Sequence, residues 1–81
     1  MNKYRLLKSE TKEHFGTTLY RIEALKDFDI VEKGEKGGWI EKEENLSQEN
    51  NAWVSGDAQV SGGAQVYGDA QVSGDARVYG D

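Results

Sequence analysis

The sequence contains no cysteine and no long apolar run, and these absences exclude several classes of protein. Without cysteine the chain has neither disulfide bonds nor thiolate zinc sites, so its compartment cannot be inferred from redox chemistry. No segment is apolar enough over sufficient length to be a signal peptide or a membrane-spanning helix. We therefore expect no membrane association and a cytoplasmic location, in a bacterium or in a phage-infected cell.

Basic residues are also scarce. Ten Lys and Arg residues against fifteen Asp and Glu residues give a formal net charge of −5. General nucleic-acid binding needs clustered Lys and Arg, so we expect no direct nucleic-acid partner. Only 36% of the 81 residues are hydrophobic, which allows one small domain without a thick core.

What the sequence does contain is a six-residue phrase that occurs five times over residues 52–81. The copies read AWVSGD, AQVSGG, AQVYGD, AQVSGD and ARVYGD, with Ala first, Val third and Gly fifth each time. Repetition at a fixed period is the signature of a repeat architecture. In an extended chain the Ala and Val share one face, and the Gly with the residue after it supplies a bend. Each phrase therefore predicts a short strand with one apolar face.

Two sheet arrangements fit such strands. Antiparallel hairpins would place each Val on the same face as a Gln of the next strand. A coil that closes after three phrases would instead place Val54 over Val72 and Val60 over Val78, and it would keep one side of every strand apolar. This like-on-like stacking favours the parallel coil.

The phrase resembles the hexapeptide pattern of left-handed β-helix proteins, in which an aliphatic residue is followed four positions later by a small one. Val60 with Ala64 and Val66 with Ala70 match that pattern. The resemblance implies an all-β fold, namely a left-handed parallel β-helix of about three coils with a small N-terminal β cap. The left hand is implied by the resemblance, because the period alone does not determine it.

Most of the chain is also similar to short bacterial and phage-encoded hexapeptide-repeat proteins of the uncharacterised acetyltransferase-like type. The similarity includes the segments KYRL at 3–6, GGWI at 37–40 and NLS at 45–47. This similarity implies a β-helix fold and establishes no activity.

The chain before the phrases divides into two predicted parts. Residues 1–28 are expected to form a β-hairpin-like cap, with strands over 3–8 and 17–25 joined by a polar loop over 9–16. A short helix over 21–28 is the alternative. Residues 29–81 are expected to form the β-helix.

Within the β-helix, the repeat is degraded before residue 52. Ile40 and Leu46 are six residues apart, whereas Leu46 and Val54 are eight apart. This spacing indicates a two-residue insertion near residues 48–51. Three glycines, Gly34, Gly37 and Gly38, are predicted to form further corners.

The last phrase, ending in Tyr79, Gly80 and Asp81, keeps the repeat register. An uncovered strand edge presents unpaired backbone groups and favours association with another chain. We therefore expect a homo-oligomer, with a dimer joined end to end about a two-fold axis as the first choice and a trimer as the second.

Residues suited to catalysis or metal binding are few. Acyltransferases of the resembling fold generally use a histidine general base, but the single histidine, His14, falls in the predicted polar loop, outside the repeats. We interpret it as an exposed loop residue and predict no catalytic residue and no cofactor. Four aspartates recur at one repeat position and could bind a cation, but turn formation explains them, so no metal is expected. They are Asp57, Asp69, Asp75 and Asp81.

Outward-facing aromatic residues are the best binding candidates, because amphipathic aromatics anchor many protein interfaces. Packing of these aromatics against neighbouring coils or under the N-terminal cap is the alternative. The predicted binding residues are Trp39, Trp53, Tyr67, Arg77 and Tyr79. We expect a non-catalytic binding or scaffold protein that presents an acidic, aromatic-bearing face to a protein partner. One version is that this chain is a phage or prophage protein that acts on a host defence protein. The alternative is a minimal acyl-CoA-dependent acyltransferase with a site between subunits.

Overall fold

A computed structural model describes residues 2–14 and 16–80 and has an all-β architecture. No helix within these residues is long and apolar enough to cross a bilayer. One short 3₁₀ helix, Glu43–Asn45, interrupts the strands. The strands are β1 (Tyr4–His14), β2 (Thr17–Ala24), β3 (Lys36–Ile40), β4 (Trp53–Val54), β5 (Gln59–Gly62), β6 (Gln71–Val72) and β7 (Arg77–Gly80).

The N-terminal hairpin consists of β1 and β2, which pair antiparallel from Tyr4 opposite Ala24 to His14 opposite Thr17. The strand prediction for this region is therefore confirmed over the alternative helix. The predicted loop over 9–16 is wrong, because β1 continues to His14. A shift of register between Leu7 and Thr11 absorbs the extra polar residues, so pairing resumes beyond it.

Five strands form one mixed sheet in the order β1-β2-β3-β5-β7, and β4 and β6 form a separate two-stranded sheet. The hairpin joins β3 in antiparallel fashion, whereas β3 with β5, β5 with β7, and β4 with β6 are parallel. A further parallel bridge joins Leu46 to Val66. The chain after residue 38 therefore forms three separate parallel series, namely β3 with β5 and β7, β4 with β6, and Leu46 with Val66.

The registers of these parallel pairs follow the sequence repeat. Val54 lies opposite Val72, eighteen positions later, and Val60 lies opposite Val78, as the stacking argument predicts. The earlier pairs are offset by twenty positions, since Ile40 lies opposite Val60 and a bridge joins Leu46 to Val66. Only the offsets that cross residues 48–51 are longer by two. The predicted two-residue insertion is thereby confirmed.

Glycines have two different roles in this part of the chain. The fifth residue of four successive phrases, Gly56, Gly62, Gly68 and Gly74, has φ between 63° and 67°, as its predicted place in a bend requires. Gly37 and Gly38 were predicted as corners, but they lie inside β3.

Close packing explains the glycine at position 38. A Cβ atom on Gly38 would lie 2.6 Å from the carbonyl oxygen of Ala58 and 2.7 Å from a methyl carbon of Val54. Gly38 is therefore required because neighbouring chain segments approach it closely, with no turn at that position.

The core combines apolar residues from both parts of the chain. The base of the hairpin contributes Tyr4, Ile22 and Ala24, and later segments contribute their inward-facing aliphatic residues. The latter are Ile40, Leu46, Val54, Val60 and Val66, all buried, whereas Val72 and Val78 are only partly buried. Burial therefore decreases toward the last layer of strands.

Asn45 connects two layers from inside the fold. It is fully buried, and its Oδ1 atom accepts hydrogen bonds from the backbone N–H groups of Glu41 and Lys42. Its Nδ2 atom donates to the carbonyl oxygens of Gly62 and Ala64. Each polar atom of this amide thus has two partners, which offsets the cost of burying it.

Alanine substitutions at Val60 and Val78 test this layered core. Val60→Ala removes two buried methyl groups and leaves a cavity, so we expect it to lower the free energy of unfolding by about 2–3 kcal/mol. Val78→Ala makes the same chemical change at a half-buried position opposite Val60. We expect it to lower the free energy of unfolding by less than about 1 kcal/mol. Urea unfolding followed by circular dichroism measures both, and equal losses would contradict the difference between the two layers.

Candidate functional site

The two edge strands of the five-stranded sheet meet through one pair of side chains. The hydroxyl oxygen of Tyr79 on β7 lies 2.9 Å from Nε2 of His14 at the end of β1. The two rings are nearly parallel, with centroids 6.1 Å apart. The sheet therefore curves until its first and last strands touch. The interpretation of His14 as an exposed loop residue remote from the repeats is wrong, because continued pairing of β1 carries it to the last repeat.

A cavity of about 320 Å³ lies beside this contact. Its walls are the ends of the hairpin and the outer face of β5 and β7, and its lining residues are His14, Thr17, Leu19, Ser61 and Tyr79. Three hydroxyl groups and one imidazole thus surround a space whose remaining lining is apolar. The sequence pattern pointed to Tyr79 as a binding residue and to His14 as a loop residue, and it assigned no role to Thr17, Leu19 or Ser61. Thr17 and Thr18, which favour a strand continuing to the turn, were the available signal.

The residues that alternate with Val60 on β5 are buried although they face away from it. Gln59 and Ser61 are 6% and 7% exposed, because the curved sheet brings the hairpin over this face. Trp39 lies opposite Gln59, and its ring is covered by Lys12 and Arg21, at 4.8 Å and 5.3 Å from the ring centroid. The indole N–H of Trp39 and Oε1 of Gln59 have no hydrogen-bond partner among the described residues.

The predicted binding residues separate into buried and exposed groups. Trp53 is 3% exposed and packs edge-on against Phe28, and Trp39 lies under the two cations, so both are covered, as the alternative interpretation proposed. Tyr67 and Tyr79 are 69% and 54% exposed, and Arg77 is also exposed. Only these last three are accessible to a partner.

The recurring aspartates lie at exposed turns. This holds for Asp57, Asp69 and Asp75, whereas Asp81 lies outside the described residues. The Nδ2 atom of Asn51 lies 3.4 Å from a carboxylate oxygen of Asp69. In the part of the chain that the structure describes, no three His, Cys, Asp or Glu residues group in a way that could hold a metal ion.

Lys3 is a fully buried lysine that no sequence pattern predicted. Its ammonium group donates to the carbonyl oxygens of Ala52, Glu49 and Asn50 at 2.6 Å, 3.3 Å and 3.4 Å. These carbonyls belong to the irregular segment that contains the two-residue insertion. Burial, aided by the charge of Lys26, lowers the pKa of Lys3 to about 8. The surroundings assign Lys3 a structural role, in which it ties the N-terminus to this segment.

No protein-family model matches this chain. A protein of Escherichia coli (strain K12) named "Uncharacterized acetyltransferase YdcK" is 44% identical to it over 62 residues. The similarity covers 65% of this chain and 18% of that protein, so the chain spans less than a fifth of its length. It supports an acetyltransferase-like relationship.

Replacement of Lys3 tests its structural role. Lys3→Met would remove the ammonium donor from the carbonyl groups of Ala52 and Asn50, while that of Glu49 keeps the Ser47 hydroxyl, and we expect a loss of about 1–3 kcal/mol in the free energy of unfolding. Lys33→Met, at an exposed position, is the control and should change it by less than about 0.5 kcal/mol. Similar effects of both substitutions in urea unfolding would exclude the role.

The effect of Lys3→Met should also depend on pH. Between pH 8 and the ordinary lysine pKa of 10.5, the unfolded chain binds a proton at Lys3 that the folded chain does not. The free energy of unfolding of the wild type should therefore rise, relative to Lys3→Met, by about 1–3 kcal/mol across this range. Burial also raises the pKa of Tyr4, but Tyr4 is present in both proteins, so its effect cancels. A difference that shrinks with rising pH would contradict the lowered pKa.

Proposed function

We propose that this chain is a non-catalytic binding protein whose later half forms a left-handed parallel β-helix of about three coils. The parallel offsets of eighteen and twenty residues support a three-sided coil, and the resemblance of the six-residue phrase supports its hand. We further propose that it self-associates through its last layer of strands and acts in the cytoplasm.

The exposure of apolar residues in that last layer carries the proposal of self-association. Val72 and Val78 occupy the same places as the buried Val54 and Val60, yet they remain partly exposed, and Ala76 is exposed. Covering these side chains and the backbone of β7 with the same layer of a second copy would remove apolar surface from water. An end-to-end dimer about a two-fold axis makes this contact symmetric.

The exposed outer surface suits a protein partner. Tyr67 and Tyr79 offer amphipathic rings, and the turn aspartates beside them carry negative charge on a chain of net charge −5. A partner with a basic surface would be attracted to this face. In the setting that the resemblance implies, a phage or prophage in a bacterium, a host defence protein is such a partner.

Light scattering across a range of protein concentrations tests the self-association, and we expect the mass of two chains. Ala76→Glu should give a monomer, because it places a charge in the last layer without altering a buried residue. Ser9→Glu adds the same charge at an exposed position of the hairpin, away from the last layer, and should leave the dimer intact. A measured mass of three chains would show a trimer in place of the two-fold dimer. A monomer at every concentration would refute self-association.

Acyl-CoA-dependent acyl transfer is a second candidate, favoured by the position of His14 beside a cavity and by the name of the relative. A histidine at the wall of a cavity can act as a general base toward a bound hydroxyl or amine. The imidazole faces the C-terminal strands, where the sequence alone did not place it. A second subunit at the last layer would complete a site between subunits.

Thermal unfolding with excess acetyl-CoA tests this second candidate. A ligand that binds the folded protein raises its melting temperature, so acyl transfer predicts an increase for the wild type. Acyl transfer also predicts acetyl-CoA turnover with an amine acceptor, and loss of that turnover in His14→Ala. An unchanged melting temperature would exclude this activity and leave the binding proposal intact.

A further inference from the structure

Three cations share strand faces with residues that line the cavity. On each of three strands, a residue that lines the cavity has a cation two positions away, which places both on the same face of the strand. The pairs of lining residue and cation are His14 with Lys12, Leu19 with Arg21, and Tyr79 with Arg77. Lys12 and Arg21 lie over the ring of Trp39, and Nε of Arg21 donates to the carbonyl oxygen of Gly37. Arg77, by contrast, is exposed two residues from Tyr79.

These three cations have no ionic partner in the part of the chain that the structure describes. Its ion pairs join Arg5 to Glu23 and Lys36 to Glu10. The nearest carboxylate in register, that of Glu41, accepts a hydrogen bond of 2.8 Å from the backbone N–H of Gly62. That hydrogen bond leaves Glu41 negatively charged, so among the described residues of this face three cations without an ionic partner stand against one carboxylate, whereas the whole chain carries a net charge of −5.

We propose that this cavity binds a small organic carboxylate. The apolar body of the ligand would lie against Leu19 and the aromatic rings, and the carboxylate would lie at the cavity mouth near Arg77. Hydroxyl groups of Thr17 and Ser61 can donate to it, whereas the hydroxyl of Tyr79 is paired with Nε2 of His14. Since the site lies between the hairpin and the C-terminal strands, it depends neither on self-association nor on acyl transfer.

Size and polarity select this class of ligand. A volume of about 320 Å³ is at the lower end of ligand-binding cavities and accommodates one ring or a short aliphatic chain. Among the residues that the structure describes, the lining includes Leu19 and the rings of His14 and Tyr79 and no charged carboxylate, so contact with an apolar body there is favourable. Arg77 is exposed beside the cavity, where it can pair with one anionic group without being buried itself.

Binding of benzoate and of its neutral analogue benzamide tests whether the charge of the ligand, and not only its shape, is recognised. In ¹⁵N-labelled protein, benzoate should cause saturable shifts in the amide signals of Leu19, Ser61 and Tyr79, and benzamide should bind at least about fivefold more weakly. Arg77→Gln should weaken benzoate binding about tenfold, because it removes one charge-assisted contact. Arg5→Gln is the matched control and should leave binding unchanged, since Arg5 is paired with Glu23 on the hairpin.

Three results would overturn the proposal. The first is the absence of saturable shifts at about 20 mM benzoate, which would place binding beyond any useful affinity. The second is equal binding of benzamide, or equal weakening by both arginine substitutions, which would remove the role of Arg77. The third is saturation confined to residues remote from the cavity.

Discussion

Backbone pairing between segments eighteen or twenty residues apart holds the C-terminal half together. Its strands are as short as the two residues of β4 and of β6, and such strands are not stable alone. Each gains hydrogen bonds from the next layer, as when the N–H of Ser55 donates to the carbonyl of Val72 at 2.8 Å. The Val residues are small, so stability depends on repeating this contact rather than on a few large side chains. Lys3 and Asn45 satisfy polar groups where the repeat is irregular.

The N-terminal hairpin determines which surfaces remain available. Its base adds Tyr4 and Ile22 to the core, and its far end lies over the outer face of β5. That arrangement covers Trp39 and creates the cavity beside His14 and Tyr79. The candidate site therefore lies between the far end of the hairpin and the outer face of β5 and β7.

The sequence predicted the part of the fold that follows from periodicity. The stacking of Val54 on Val72, the positive φ of the phrase glycines and the insertion near residues 48–51 were all predictable, because each is a matter of counting along a regular repeat. The extension of β1 to His14 was not, since its polar residues have no apolar alternation. The candidate site was therefore missed in large part: its contacts join residues 14 and 79, and only the curvature of the sheet brings them together.

The measurement that tests the parallel pairing most directly is the detection of scalar couplings across backbone hydrogen bonds by NMR. Coupling of the Ser55 amide to the carbonyl of Val72, and of the Gln59 amide to the carbonyl of Ala76, is the expected result. Couplings between each phrase and the one directly after it would instead mean antiparallel hairpins. That outcome would contradict the layered core, the coil and the cavity together.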